Sequence, residues 1–445
     1  MRKSLIFIAL LFLLHIPLYA LSFTYVDTPQ SYDSPVLLSS FEKNKDFLTD
    51  KEIDVMDIVV VFYGPGSRVY EYYGHVGIIV RYKNGTETLY DYGVFNPYEK
   101  NFVKNVIQGK MFYSLSYGNT KKIMENYMRD VSRSVRYYRL VNLSDEKKNE
   151  IVSFLKFNAG EDRNKYHYNF FTDNCSTRVR DILDMAYDGA LKEYGKRSFG
   201  TRRTAISPQT APHVITETVF GIAEGSLQDI PINYYEAMFL PSVLEYSLRN
   251  ITVGTSSEEK SHIVILEGES IWQNKYEYNV SENHKPSPYI ILLLITLQFV
   301  LLNTVLKLLY ATKIKRFAKK LFCLINGLIL LALFILSVTM SYMCLYTVFE
   351  CAWRNQNLIF INPLLIFPMI YAFKGLFSVS CYKEEKALHR LSIYALIFAL
   401  FVLSALILKL IILPYQANLV HILYFMLYYL SLPDYANLYK RRKKK

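Results

Sequence analysis

A chain of 445 residues has room for about two or three domains of ordinary size. Its net charge of +12 would suggest a nucleic-acid partner if the basic residues were spread over a globular domain, and they are not. Lys313, Lys315, Arg316, Lys319 and Lys320 fill one short loop between apolar runs, and residues 440–445 form a wholly basic tail, so the excess reads as membrane topology rather than nucleic-acid binding.

From the N-terminus, Arg2 and Lys3 precede an apolar run, Leu5–Leu18, and then Leu18-Tyr19-Ala20. This is the pattern of a signal peptide over residues 1–20, with an uncleaved anchor helix as the alternative; on either reading the segment beyond residue 20 is exported. Residues 21–250 have the composition of a soluble domain, and residues 251–288 read as a linker. Residues 289–432 are dominated by Leu, Ile, Phe, Val and Tyr and divide into about five spans, near 289–310, 321–343, 358–377, 391–410 and a shorter 418–432. Each approaches the ~20 apolar residues a bilayer requires. Five spans place the exported domain and the basic tail, 433–445, on opposite sides, with the lysine loop in the cytoplasm.

Within the exported part, Asp57–Phe62 reads as a buried strand bounded by Gly64-Pro65-Gly66. The β-rich stretch Tyr73–Arg81 ends at Asn84-Gly85, a hairpin signal, and returns through Glu87–Phe95. His75 therefore lies on a strand whose partner carries Asp91. A plain two-residue turn would put Asp91 on the far face and leave Tyr90 or Tyr92 beside His75; a three-residue turn with a glycine bulge restores Asp91 to the His75 face. Ser144–Lys156 reads as a helix. In the run Tyr166–Leu183, apolar Val179, Ile182 and Leu183, with Ala186 beyond, fall at helical spacing, and Asp173 or Asn174 is placed to cap the helix.

Cys175 then sits in the first turn of an amphipathic helix and is the one cysteine of the exported domain; the other four lie in or beside the spans, where Cys344 and Cys351 flank an outer loop as a possible pair. Backbone N–H groups at a helix start stabilise a thiolate and can hold an oxyanion. A strand histidine supplies the base and a neighbouring carboxylate fixes its tautomer, so Cys175, His75 and Asp91 form a candidate catalytic set. A packing cysteine and a structural strand histidine are the plain alternatives, and His167, in a Tyr-His-Tyr context, is a rival base. The reading requires no cofactor and no metal.

The strand-borne His before the helix-borne Cys is the order of the circularly permuted papain-like fold. The motifs Tyr73-Gly74-His75, Asp91-Tyr92-Gly93-Val94-Phe95 and Tyr168–Arg178, then Phe239-Leu240-Pro241 with Leu244, resemble the periplasmic domain of the Bacteroides-type lipoprotein N-acyltransferases. Asn355-Gln356-Asn357 and Asn362-Pro363 are similar to that family's membrane portion. The family pattern often has Asn where this chain has Asp91; both accept an imidazole N–H, and the carboxylate adds charge. The resemblance implies an α+β class, with a permuted papain-like domain before a bundle of about five transmembrane helices. It implies His75 and Cys175 as catalytic pair, a membrane phospholipid as acyl donor, and the α-amine of a diacylated lipoprotein as acceptor, at the inner membrane. Arg178 and Arg180 lie beyond the nucleophile on its helix and are candidates to hold the lipid phosphate, against solvated helix-face arginines. Asn362 within a span marks either a site or a helix-packing hydrogen bond. A cell-wall or peptide amidase with the same dyad, and a non-enzymatic lipid- or lipoprotein-binding module, are the other readings.

Overall fold

A computed structural model describes residues 34–43, 54–96, 98–124, 133–254, 261–270, 288–409 and 416–435. The expected signal segment, 1–20, and residues 436–445 of the expected basic tail lie outside the described residues. The described residues divide into two units: those within 27–210 and 231–284, and those within 211–230 and 285–445.

The first unit is α+β, built on a seven-stranded antiparallel sheet. Its strands are β1 (Val55–Tyr63), β2 (His75–Tyr82), β3 (Glu87–Val94), β4 (Phe112–Asn119), β5 (Val135–Leu140), β6 (Lys165–His167) and β7 (Val264–Ser270), in the order β7-β5-β1-β2-β3-β4-β6. Alternation explains the layers. Val60, Phe62, Val76, Ile78 and Tyr92 turn one face toward helices α1 (Ser34–Lys43), α2 (Asp145–Asn158) and α3 (Cys175–Ala186), forming the main core. Val59, Val61, Ile79 and Leu89 turn the other way, into a smaller cluster with Met124. Val179, Ile182, Leu183 and Ala186 are all buried, so the helical spacing read from sequence is the face α3 lays on the sheet.

The β2–β3 turn decides what His75 meets. Tyr82 N–H donates to Thr86 O, leaving Lys83-Asn84-Gly85 as a three-residue loop with Gly85 at φ +81°. That left-handed conformation suits glycine and gives the bulged turn. Ile78 therefore pairs with Tyr90 and Arg81 with Glu87, a register that puts Asp91 and His75 on the same face.

Two expected boundaries are corrected. Residues 251–288 are not simply a linker: β7 pairs with β5 from Val264↔Leu140 to Ser270↔Val135, and Glu267 binds Arg81 and Arg139. Nor do residues 21–250 form one domain, because helix α4 (Val214–Ala223) belongs to the second unit. Its C-terminal carbonyls need partners, and find them there. Asn355 donates to Ile222 O and Ala223 O (2.9 and 2.8 Å), Asn357 to Ile222 O (2.8 Å), and Gln416 to Glu224 O (2.6 Å).

In the second unit, among the described residues, four segments are long and apolar enough to cross a membrane: Tyr289–Ala311, Lys315–Tyr346, Gln356–Leu376 and Cys381–Leu408. The fifth expected span is the 13-residue helix Leu419–Ser431, about 20 Å long at 1.5 Å per residue and short of a ~30 Å hydrocarbon core. The third is interrupted. Pro363 cannot continue a helix, and two 3-10 turns precede the α-helix Ile366–Leu376. Cys344 and Cys351 are free thiols.

Candidate active site

The segment before α3 is built to present its first residue. Asn169 and Asp173 exchange backbone hydrogen bonds of 2.9 and 3.0 Å, and the Asn169 side-chain Oδ1 accepts the N–H groups of Phe171 and Thr172. Asn174 is the cap: its Oδ1 accepts Thr177 N–H at 2.9 Å while Thr177 Oγ1 accepts Asn174 N–H at 2.8 Å. Asn174 Nδ2 also donates to Phe170 O and Phe239 O, and Ser176 Oγ to Met238 O. The Asn-Cys-Ser-Thr string thus locks Cys175 at the first helical position, half-buried, with the Phe239-Leu240-Pro241 turn braced against it.

His75 opens β2, its side chain 15% exposed. Its Nε2 lies 2.5 Å from Asp91 Oδ1, and its ring packs on Tyr63 at 5.5 Å. Burial lowers the imidazole pKa, but the charges of Asp91 and Cys175 and the hydrogen bonds to both outweigh it and lift His75 to about 10. The same imidazole thus hydrogen-bonds both Asp91 and Cys175. Gly93 is the shared seat: a Cβ built there would stand 3.5 Å from His75 Cε1 and 3.9 Å from Cys175 Cβ, and its φ of +94° favours glycine.

Aromatic rings complete the surround. Tyr113 and Tyr168 stack at 4.3 Å. Burial first, and then the charge of Cys175, raises both phenols, Tyr113 to about 12. Tyr73 meets Phe170 edge-on at 4.8 Å, and Phe170 continues to Phe239.

Other expected site residues have different work. Arg178 is not free for a phosphate: it is buried, holds Asp173 through two bonds of 2.7 and 2.9 Å, and lies 3.8 Å over the Tyr166 ring. Arg180 binds Asp181 and Tyr235 O and faces a cleft lined by Lys147, Glu150, Asp184 and Lys192, not by Cys175. Asn362 caps a turn, accepting Leu364 N–H and donating to Ile359 O. His167 sits on β6 edge-on to Phe112. Gly93 and Tyr113 carry site roles that residue type alone did not announce, although Gly93 stands inside the motif around Asp91.

Residues 44–207 match the family model of the Lnb N-terminal periplasmic domain. The matched stretch contains His75, Asp91 and Cys175 and covers less than half of the chain. Together with four apolar helices it fits a multi-pass membrane protein with a periplasmic domain. No curated protein and no solved structure matches the chain.

Proposed function

We propose that this protein is a cysteine acyltransferase of the Lnb type, moving an acyl chain from a membrane phospholipid to the N-terminal amine of a diacylated lipoprotein at the inner membrane. The observation that carries the proposal is the half-buried Cys175 at a capped helix start beside an imidazole that Asp91 holds charged. A proton carrier beside the thiol and helix N–H groups beside the carbonyl it would attack are what a nucleophilic cysteine needs. A merely structural cysteine requires neither. The succession of strand-borne His and helix-borne Cys supports the permuted papain-like reading.

In the first half-reaction the Cys175 thiolate attacks the ester carbonyl, and the His75 imidazolium gives its proton to the departing glycerol oxygen. A lysophospholipid leaves and a thioester remains on Cys175. The N–H groups of Cys175 and Ser176, in the first turn of α3, are the candidate oxyanion donors, since Thr177 N–H is taken by Asn174 Oδ1. In the second half-reaction the lipoprotein amine attacks the thioester carbonyl. Its proton passes to the neutral His75, the amide forms, and the thiolate–imidazolium pair is restored. Asp91 orients the ring throughout and favours its protonated form whenever His75 holds the transferred proton. The aromatic walls, Tyr73, Tyr113, Tyr168 and Phe170, suit an acyl chain better than a peptidoglycan stem, and they support lipid over the amidase alternative. Anchoring by apolar helices raises the effective concentration of bilayer-borne substrates.

The test is lipoprotein mass in cells that depend on this protein. With Cys175→Ser, lipoproteins should accumulate one acyl chain short and with a free N-terminal amine. Unchanged lipoprotein masses with altered cell-wall fragments would favour the amidase instead.

A further inference from the structure

The connection from β3 to β4 is a built excursion. Asn96 Oδ1 accepts Tyr98 N–H at 3.0 Å, Phe102 N–H donates to Glu99 O at 3.0 Å, and a short helix, Phe102–Gln108, is closed by Lys110 N–H on Asn105 O at 2.8 Å. The described residues of this segment turn large apolar side chains outward. Tyr98 is 93% exposed, Val103 68% and Ile107 51%. Val103 and Ile107 are four residues apart, so they share one helix face. Lys100 and Lys104 are also exposed, and between residues 94 and 110 three lysines stand against one acid, Glu99. Apolar tips ringed by flexible cations are the composition of a surface that dips into a bilayer interface while its ammonium groups reach anionic headgroups. A contact between copies or with a peptide has no such need for one-sided positive charge.

The excursion is also continuous with the site. Phe95 stacks on Phe102 at 5.9 Å and packs on Tyr113 at 5.2 Å, and Tyr113 stacks on Tyr168 beside Cys175. A run of aromatic contacts therefore leads from Phe102 at the ridge to Tyr168, whose phenol feels the charge of Cys175.

We propose that the 95–110 excursion is the lipid-entry surface of this enzyme: Tyr98, Val103 and Ile107 insert among phospholipid acyl chains, Lys100 and Lys104 meet the headgroups, and the acyl ester passes along Phe95 and Tyr113 to Cys175. The assignment rests on the acyltransferase reading for its destination and on the ridge itself for its lipid contact.

The full chain is reconstituted in phosphatidylethanolamine–phosphatidylglycerol vesicles that carry a doxyl label on an acyl chain. Tryptophan is introduced singly as Val103→Trp, Ile107→Trp and, as control, Leu266→Trp, and the signal of the two native tryptophans is subtracted. Leu266 is half exposed on β7, five strand positions from β4, or about 24 Å at the usual spacing. Quenching at 103 and 107 should be several-fold greater than at 266. Quenching no greater than at 266 would overturn the assignment, whether a second copy, a peptide or water covers the ridge instead. The chemistry is read separately by acyl loading of Cys175. Quenching without loading keeps the lipid contact and removes the acyltransferase reading; loading without quenching does the reverse.

Discussion

His75 Nε2 and Asp91 Oδ1 stand 2.5 Å apart across neighbouring strands, a contact that favours the protonated imidazole. Burial pushes the imidazole down, while Asp91 and Cys175 carry it up to about 10. The ring is therefore cationic through neutral pH.

A histidine with a raised folded-state pKa contributes stability that is complete below its ordinary pKa of 6.5 and lost as pH rises through about 10. Nuclear magnetic resonance of His75 in the intact chain should show a charged ring at pH 8 and loss of the proton near 10. Asp91→Asn keeps an acceptor but removes the negative charge, so the transition should move far down, leaving a mostly neutral ring at pH 8. His75→Ala should slow acyl loading by ~10²–10⁴-fold, the usual reach of general acid–base catalysis.

Arg178 and Asp173 form a buried pair, with side chains 2% and 8% exposed. Removing one partner leaves the other charge stranded, so Arg178→Ala should cost ~3–5 kcal/mol, seen as a lower melting temperature. Asp173→Asn in the same chain should recover part of that loss, since no bare carboxylate remains. A phosphate-binding arginine would instead weaken lipid affinity with little change in melting.

Gly93→Ala tests the seat between base and nucleophile. The added methyl fits at contact distance, 3.5 and 3.9 Å, but the φ of +94° penalises it by ~1–2 kcal/mol. The domain should fold with slightly reduced stability and lose about tenfold or more in rate if the strain is relieved by moving His75 off the sulfur. An unchanged rate would show that the seat tolerates a side chain.

The sequence was most legible where one local rule sufficed. The Asn174 cap and the apolar spacing after Cys175 announced α3 and its buried face, because both are properties of a single helix. The hairpin was legible except for its parity, which hangs on one loop residue at Gly85. What stayed hidden depends on distant partners. Arg178 reads as a candidate phosphate ligand, or a solvated helix-face arginine, because nothing in helical spacing shows that the Asn169–Asp173 bridge folds an acid back onto it. β7 read as linker because its edge strand is charged, and only Arg81 and Arg139 from other strands make Glu267 at home there. Helix α4 reads as part of the exported domain for the same reason: the amides that cap it come from residues 355, 357 and 416.

The most direct test of the central claim is the intact mass of the purified full chain after incubation with phospholipid. The mass should rise by one acyl chain, peptide mapping should place it on Cys175, and hydroxylamine should remove it, as it cleaves thioesters. Cys175→Ala should show no adduct. A wild-type protein that stays unmodified under these conditions, with His75 charged and the site folded, would contradict a thioester mechanism at Cys175.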